Sequence, residues 1–240
     1  MSDPIRLAKR LIELIHCSRS EADKYIEGGW VLVDGEIIDQ PQFKVLDQTV
    51  ELHPNATLTA AEPATIILNS PGGFDPGNPT AALKLITAAS RASDDSSGIR
   101  TLKRHFARLM PTAPLEEGAT GLLVFTQDGR IVRKLVKDRD RNEQEYIVTV
   151  SGNIVTNGLE QLNRPTRVSG GWPLPAARVS WQNETRLRFA LKNPQPGQIE
   201  TMCKNAGLTV ETMIRLRIGR VSMAKLQPGQ WRYLPQGQRF

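Results

Sequence analysis

Two local signals in the first 52 residues constrain the fold of this chain more than anything else in it. Ser18 and Glu21 stand in the order S-x-x-E, in which a hydroxyl and a carboxylate satisfy each other's backbone N–H groups at a helix start. Farther on, W-V-L-V and E-I-I flank Asp34-Gly35. An Asp-Gly pair between two apolar runs marks a tight hairpin, because both central residues must take positive φ. Gly28 and Gly29 lie between these signals, where a helix is expected to end. Ahead of them, Asp3 is expected to cap a first helix with Pro4 at its first position. Leu7, Leu11 and Leu14, with Ile15, give that helix one apolar face. T-V-E-L, ending near Leu52, reads as a short strand. Residues 1–52 are thus expected to form two helices, a hairpin and a strand.

Residues 53–63 are polar, contain proline and lack periodicity, as in a linker. From residue 64 to 240, strand and helix patterns mix. A-T-I-I-L-N reads as a buried strand stopped by S-P-G-G, and Asn78-Pro79 is expected to open a helix reaching about Ala89. Residues 90–98 read as a loop. G-L-L-V-F-T is a second buried strand, turned by Gln127-Asp128-Gly129, and R-I-V-R-K-L-V is expected to begin a helix. Asp128 reads as a turn former. Y-I-V-T-V, R-L-R-F-A-L and R-L-R-I-G-R-V-S-M read as strands, and I-E-T-M-C-K-N-A-G as a helix ending at Gly207. The expected fold class is α+β, a small helix-helix-hairpin module followed by a mixed-sheet domain.

A length of 240 residues fits such a pair of domains. The net charge of +6 favours anionic partners. Thr212–Phe240 holds Arg215, Arg217, Arg220, Lys225, Arg232 and Arg239 with no acidic residue. Cys17 and Cys203 are far apart, and His16, His53 and His105 are scattered, which argues against a disulfide framework or a structural metal. No apolar run is long enough to span a bilayer, and the N-terminus lacks the apolar block of a signal peptide. A soluble, cytoplasmic, monomeric protein is expected.

The stretch R-L-x-x-x-L, followed by C-S-R-S-E-A-D-K-Y-I-E-G-G-W-V-L-V-D-G-E-I-I, resembles the small RNA-binding module first named from ribosomal protein S-four. The resemblance implies phosphate contacts at Arg6, Ser18, Arg19, Ser20 and Lys24. The remainder resembles the RsuA-type ribosomal RNA pseudouridine synthases. The matching blocks are I-L-N-S-P-G-G, L-E-E-G-A-T-G-L-L-V-F-T-Q-D-G, E-Y-I-V-T-V, and the C-terminal run from Gln198 to Met223 with P-G-Q-W-R-Y-L. Together the two resemblances span nearly the whole chain. They imply structured RNA, most plausibly ribosomal, as the partner. They also imply a mechanism without metal or organic cofactor, in which a flipped uridine sits beside an aspartate, a basic residue pairs with that aspartate, and a tyrosine packs on the base.

Carried onto this chain, the aspartate position is Glu116 and the tyrosine is Tyr146. The arginine two residues before the aspartate is Pro114, and the lysine of the first turn is Ser70. The family's N-R-Q-I-R becomes Pro196-Gly197-Gln198-Ile199-Glu200, so Glu200 stands where the basic partner is expected. Two carboxylates sharing a pocket would raise the pKa of one of them. Arg215 and Arg217 are assigned to RNA contact. Without the resemblance, Glu116 and Glu117 read as a solvated acidic pair, and Tyr146 reads equally well as core packing. The expectation is an RNA-binding protein with catalysis lost or impaired. The alternatives are an active isomerase using Glu116, and an adaptor whose pocket binds a protein.

Overall fold

The computed structural model describes residues 3–59, 62–73, 78–165 and 176–240. The chain divides into two compact units, Met1–Pro63 with Arg100–Arg108, and Ala64–Ile99 with Leu109–Phe240. Residues 100–108, expected in the second domain, therefore belong with the first. Part of the expected linker, residues 60–61, lies outside the described residues.

The first unit holds β1 (Ile5–Arg6), α1 (Leu7–Ile15), α2 (Arg19–Glu27), β2 (Val31–Val33), β3 (Glu36–Ile37), β4 (Lys44–Val45) and β5 (Val50–Leu52). Helix α1 starts later than expected. Asp3 and Pro4 precede it, because Ile5 and Arg6 pair with Val45 and Lys44 as a strand. Its first N–H donors go to the chain rather than to a side-chain cap: Leu7 donates to the Phe43 carbonyl at 2.6 Å and Ala8 to that of Pro41 at 3.3 Å. Leu7 and Leu11 are fully buried, but Leu14, one turn on, is exposed. The expected capping box opens α2. Ser18 N–H donates to Glu21 Oε2 at 2.8 Å, and Glu21 N–H to Ser18 Oγ at 3.3 Å. Asp34 and Gly35 take φ of 50° and 81° in the β2–β3 turn, as that turn requires. Leu7, Leu11, Ala22, Ile26, Val31 and Val45 form the core, each removing apolar surface from water at about 25 cal/mol per Å². The expected linker begins inside this unit, since His53 N–H donates to the Trp30 carbonyl at 2.8 Å and continues the ladder past β5.

The second unit contains β6 (Thr65–Ser70), β7 (Met110–Thr112), β8 (Ala119–Thr126), α3 (Gly129–Val132), β9 (Glu143–Gly152), α4 (Gly158–Leu162), β10 (Arg178–Asn183), β11 (Arg186–Lys192), α5 (Gln198–Asn205), β12 (Leu208–Ile218), β13 (Val221–Ser222) and β14 (Trp231–Tyr233). Its sheet runs β10-β11-β9-β12-β8-β6-β14, with β13 on β12 and β7 on β8. The β8–β12 pair is parallel among antiparallel neighbours, so the sheet is mixed. The helix expected from Asn78 is instead a short 3-10 segment, Pro79–Leu85, to which the Asn78 side chain offers no cap. Asp128 does cap α3, accepting the Arg130 N–H at 2.8 Å. After α3 the backbone widens into a π turn, Arg133–Lys137. The buried Asn142 amide holds this turn by donating to the Lys134 and Asp138 carbonyls. Strand β10, hairpinned to β11, was not anticipated. Among the described residues, no helix is long and apolar enough to cross a membrane.

Candidate functional site

Strand register assembles the site. Paired Cα positions run in one row from Ser70 on β6 through Gly121 on β8, Arg215 on β12 and Tyr146 on β9 to Phe189 on β11. Side chains directly opposite one another share a face, and Gln144, two residues before Tyr146, joins that face. Gly121 is required by this row. Its φ is +100°, and a Cβ there would come within 2.4 Å of the Arg215 carbonyl oxygen. The missing side chain lets β12 close on β8 and delivers Arg215 to the centre of the sheet.

Arg215 is 0% exposed. Its guanidinium donates to the Leu122 carbonyl (2.9 and 2.7 Å), the Ala113 carbonyl (2.6 Å), the Pro114 carbonyl (3.0 Å) and Gln144 Oε1 (3.1 Å). The planar fork of an arginine suits such a cage, and a buried cation requires one. Gln144 Oε1 also accepts the Tyr146 hydroxyl at 2.8 Å, so one amide oxygen fixes both groups. Tyr146 is fully buried, and burial pushes its phenol upward, with Arg215 pulling it down and Glu116 pushing it up.

Glu116 enters from the turn ahead of β8 and is 9% exposed. Its Oε1 is buried without a hydrogen-bond partner. Burial raises its carboxyl from 4.5 to about 7. The Gly197 backbone N–H and the Arg215 charge pull it down, and Glu200 adds a further upward push. Gly197 is the residue preceding α5, with φ of 72°, so Glu116 sits against a helix N-terminus, which favours negative charge.

The structure thus brings together Glu116, Tyr146 and Arg215, and it corrects two assignments. Glu200, expected where the basic partner would stand, does act on Glu116, in the upward direction. It is exposed in the first turn of α5, where an acidic side chain complements the helix dipole, and its push on Glu116 is the last of the four influences. The cation nearest the carboxylate is Arg215, which the sequence reading had assigned to RNA. A fully buried guanidinium spent on internal acceptors cannot also meet an external phosphate. Arg217, assigned likewise, is paired with Glu143 (2.8 Å) and Glu145 (2.9 Å). Those glutamates also pair with Arg178 and with Arg188 (2.8 Å), so the charge of Arg217 is neutralised within the sheet. Pro114 contributes its carbonyl to the Arg215 cage. Ser70 is buried, with its hydroxyl on the Pro71 carbonyl. Gln144 was missed; its signal is its place two residues before Tyr146 on an alternating strand.

In the first unit, Arg6, Ser18, Arg19, Ser20 and Lys24 are all exposed. Ser18 spends its hydroxyl oxygen on the capping box. Among the described residues, no group of three or more His, Cys, Asp or Glu could hold a metal ion.

Comparison with known proteins matches this architecture. The S4 domain model matches residues 5–50. The dual-specificity RNA pseudouridine synthase RluF of Escherichia coli K12 is 28% identical over 237 residues, covering 96% of this chain and 75% of that one. The ribosomal small subunit pseudouridine synthase A of Vibrio cholerae is 26% identical over 238 residues, covering 97% and 96%. A crystal structure of a pseudouridylate synthase superposes with a TM-score of 0.60 at 20% identity, covering 97% of this chain and 96% of that one, which establishes the fold. The chain therefore carries an S4 domain over residues 5–50 and has the fold of a pseudouridine synthase. Over nearly its whole length it is similar in sequence to the dual-specificity synthase RluF and to the ribosomal small subunit pseudouridine synthase A.

Proposed function

We propose that this protein binds structured RNA, ribosomal RNA above all, through its S4 unit, and that its synthase site is impaired as an isomerase. RNA binding is supported by the S4 match and by the exposed Arg6, Arg19 and Lys24 on the matched segment. The observation carrying the second half is the state of Glu116. Its carboxylate is buried with one oxygen unpartnered and is pushed up to about 7. Near neutral pH it is therefore protonated for much of the time, whereas the chemistry implied by the resemblance uses the anion. The glutamate also carries one more methylene than the family's aspartate. A displacement of about 1 Å at a reacting group can cost roughly a hundredfold in rate.

A specific observation favours a second reading, an active isomerase. Arg215 and Tyr146 flank Glu116 as a basic group and a tyrosine flank the carboxylate in the resemblance. One experiment addresses both readings: tritium release from ribosomal RNA transcripts labelled at uridine carbon five, with RNA binding measured in the same samples across salt. We expect binding that weakens as salt rises, since phosphate contacts release counterions, and little or no release. Release by the natural protein that Glu116→Ala abolishes would replace the first reading with the second. In that case, release should rise with pH through about 7, as Glu116 ionises. Binding that is absent or indifferent to salt would remove the RNA-binding reading.

A further inference from the structure

We infer that residues 100–108 are part of the RNA-binding surface of the first unit, with Lys103 and Arg108 as phosphate contacts. The inference rests on the RNA-binding reading above. The segment reads R-T-L-K-R-H-F-A-R, with four cations, a histidine and no acidic residue. It lies outside the S4 match at 5–50, yet it packs as part of the same compact unit.

Three separate devices hold it there. The Arg100 guanidinium lies 4.0 Å over the Trp30 ring and donates to the Gly29 carbonyl at 3.0 Å. Leu102 is buried against Gly29, where a Cβ would come within 2.3 Å of the leucine side chain, so the glycine makes the notch that the leucine fills. Asp39 Oδ2 accepts the Arg104 N–H at 3.0 Å, capping the 3-10 turn Lys103–Phe106 with a carboxylate. His105 is buried beneath that turn.

The anchored segment leaves its other cations outward. Lys103 and Arg108 are exposed, and neither is in an ion pair among the described residues. The Arg104 guanidinium reaches the Glu27 end of α2, 3.7 Å from the carboxylate. Glu27 is three residues beyond Lys24, and positions three apart are neighbours on a helix surface, about 5–6 Å between Cβ atoms. The segment therefore lies beside the end of α2 that carries Lys24. On the β10–β11–β9–β12 part of the second unit's sheet, by contrast, Arg178, Arg188 and Arg217 are each matched by a glutamate. Positive charge left unmatched on a rigid support, next to a recognised RNA-binding segment, fits the phosphates of a folded RNA.

The test uses the full-length protein and a fluorescently labelled stem-loop RNA, with affinity measured over a range of salt. The double variant Lys103→Gln/Arg108→Gln should bind about tenfold more weakly at physiological salt and lower the slope of log K against log salt by about 2. The double variant Arg220→Gln/Lys225→Gln, which removes two exposed cations from the second unit, should leave both unchanged. Equal loss in the two double variants would overturn the inference, because general charge would then explain it. So would an unaltered slope in the first, or competition by polyglutamate as effective as by unlabelled RNA. If the natural protein does not bind the stem-loop or ribosomal RNA, the parent reading itself fails. If it binds and Lys103→Gln/Arg108→Gln changes nothing, only this inference fails.

Discussion

Glu116 carries the most consequential chemistry of any single residue. The folded chain holds its proton up to about pH 7, whereas the unfolded chain releases it near 4.5. Between those values the native state binds more protons, so stability falls as pH rises and levels off above about 7. The whole effect is on the order of 3 kcal/mol. Glu116→Gln removes it: urea midpoints of variant and natural protein should nearly agree at about pH 4, and the variant should be the more stable at about pH 8. A stability difference between variant and natural protein that is the same at both pH values would contradict the burial of this carboxylate. Glu116 and Tyr146 were legible in the sequence because G-L-L-V-F-T-Q-D-G and Y-I-V-T-V fix their register. The role of Arg215 was not legible. In R-L-R-I-G-R it looks like any surface arginine, and only the pairing of Gly121, Arg215 and Tyr146 across three strands reveals that it is interior.

Elements whose residues satisfy one another locally were readable, and those fixed by distant partners were not. The capping box of α2 and the Asp34-Gly35 turn belong to the first kind, because each closes within four residues. Ser18→Ala should cost about 1 kcal/mol, read as a lower thermal midpoint, by leaving the Glu21 N–H without its acceptor. The start of α1 belongs to the second kind, since its N–H groups are met by carbonyls more than thirty residues on, at Pro41 and Phe43. The 3-10 segment Pro79–Leu85 does as well, because the Asn-Pro signal promised a cap that the Asn78 side chain does not provide. The β8–β12 pair belongs there too, joining residues over ninety positions apart. Gly121→Ala forces a Cβ against the β12 backbone at a φ of +100°, and should destabilise the protein by about 3 kcal/mol or more. Because the clash is with the backbone at Arg215, the same change should abolish the spectroscopic signature of a buried Tyr146.

At the scale of the molecule, the net charge of +6 favours an anionic partner, but the sequence misplaced the cations that are free to meet one. The C-terminal run looked richest, yet Arg215 is interior, Arg217 is matched by glutamates, and Arg232 is half-buried with its guanidinium on the Tyr233 and Ser222 carbonyls. Sequence reading divides a chain into consecutive stretches, so it could not anticipate a unit built from Met1–Pro63 and Arg100–Arg108. That division has a consequence for biosynthesis. Residues 1–63 cannot complete their unit until the chain has grown from position 63 to position 108. At roughly 5–20 residues per second, Gly29 and Asp39 wait for several seconds before Leu102 and Arg104 arrive. Until then the notch at Gly29 stays open to water, without the leucine that fills it in the finished unit.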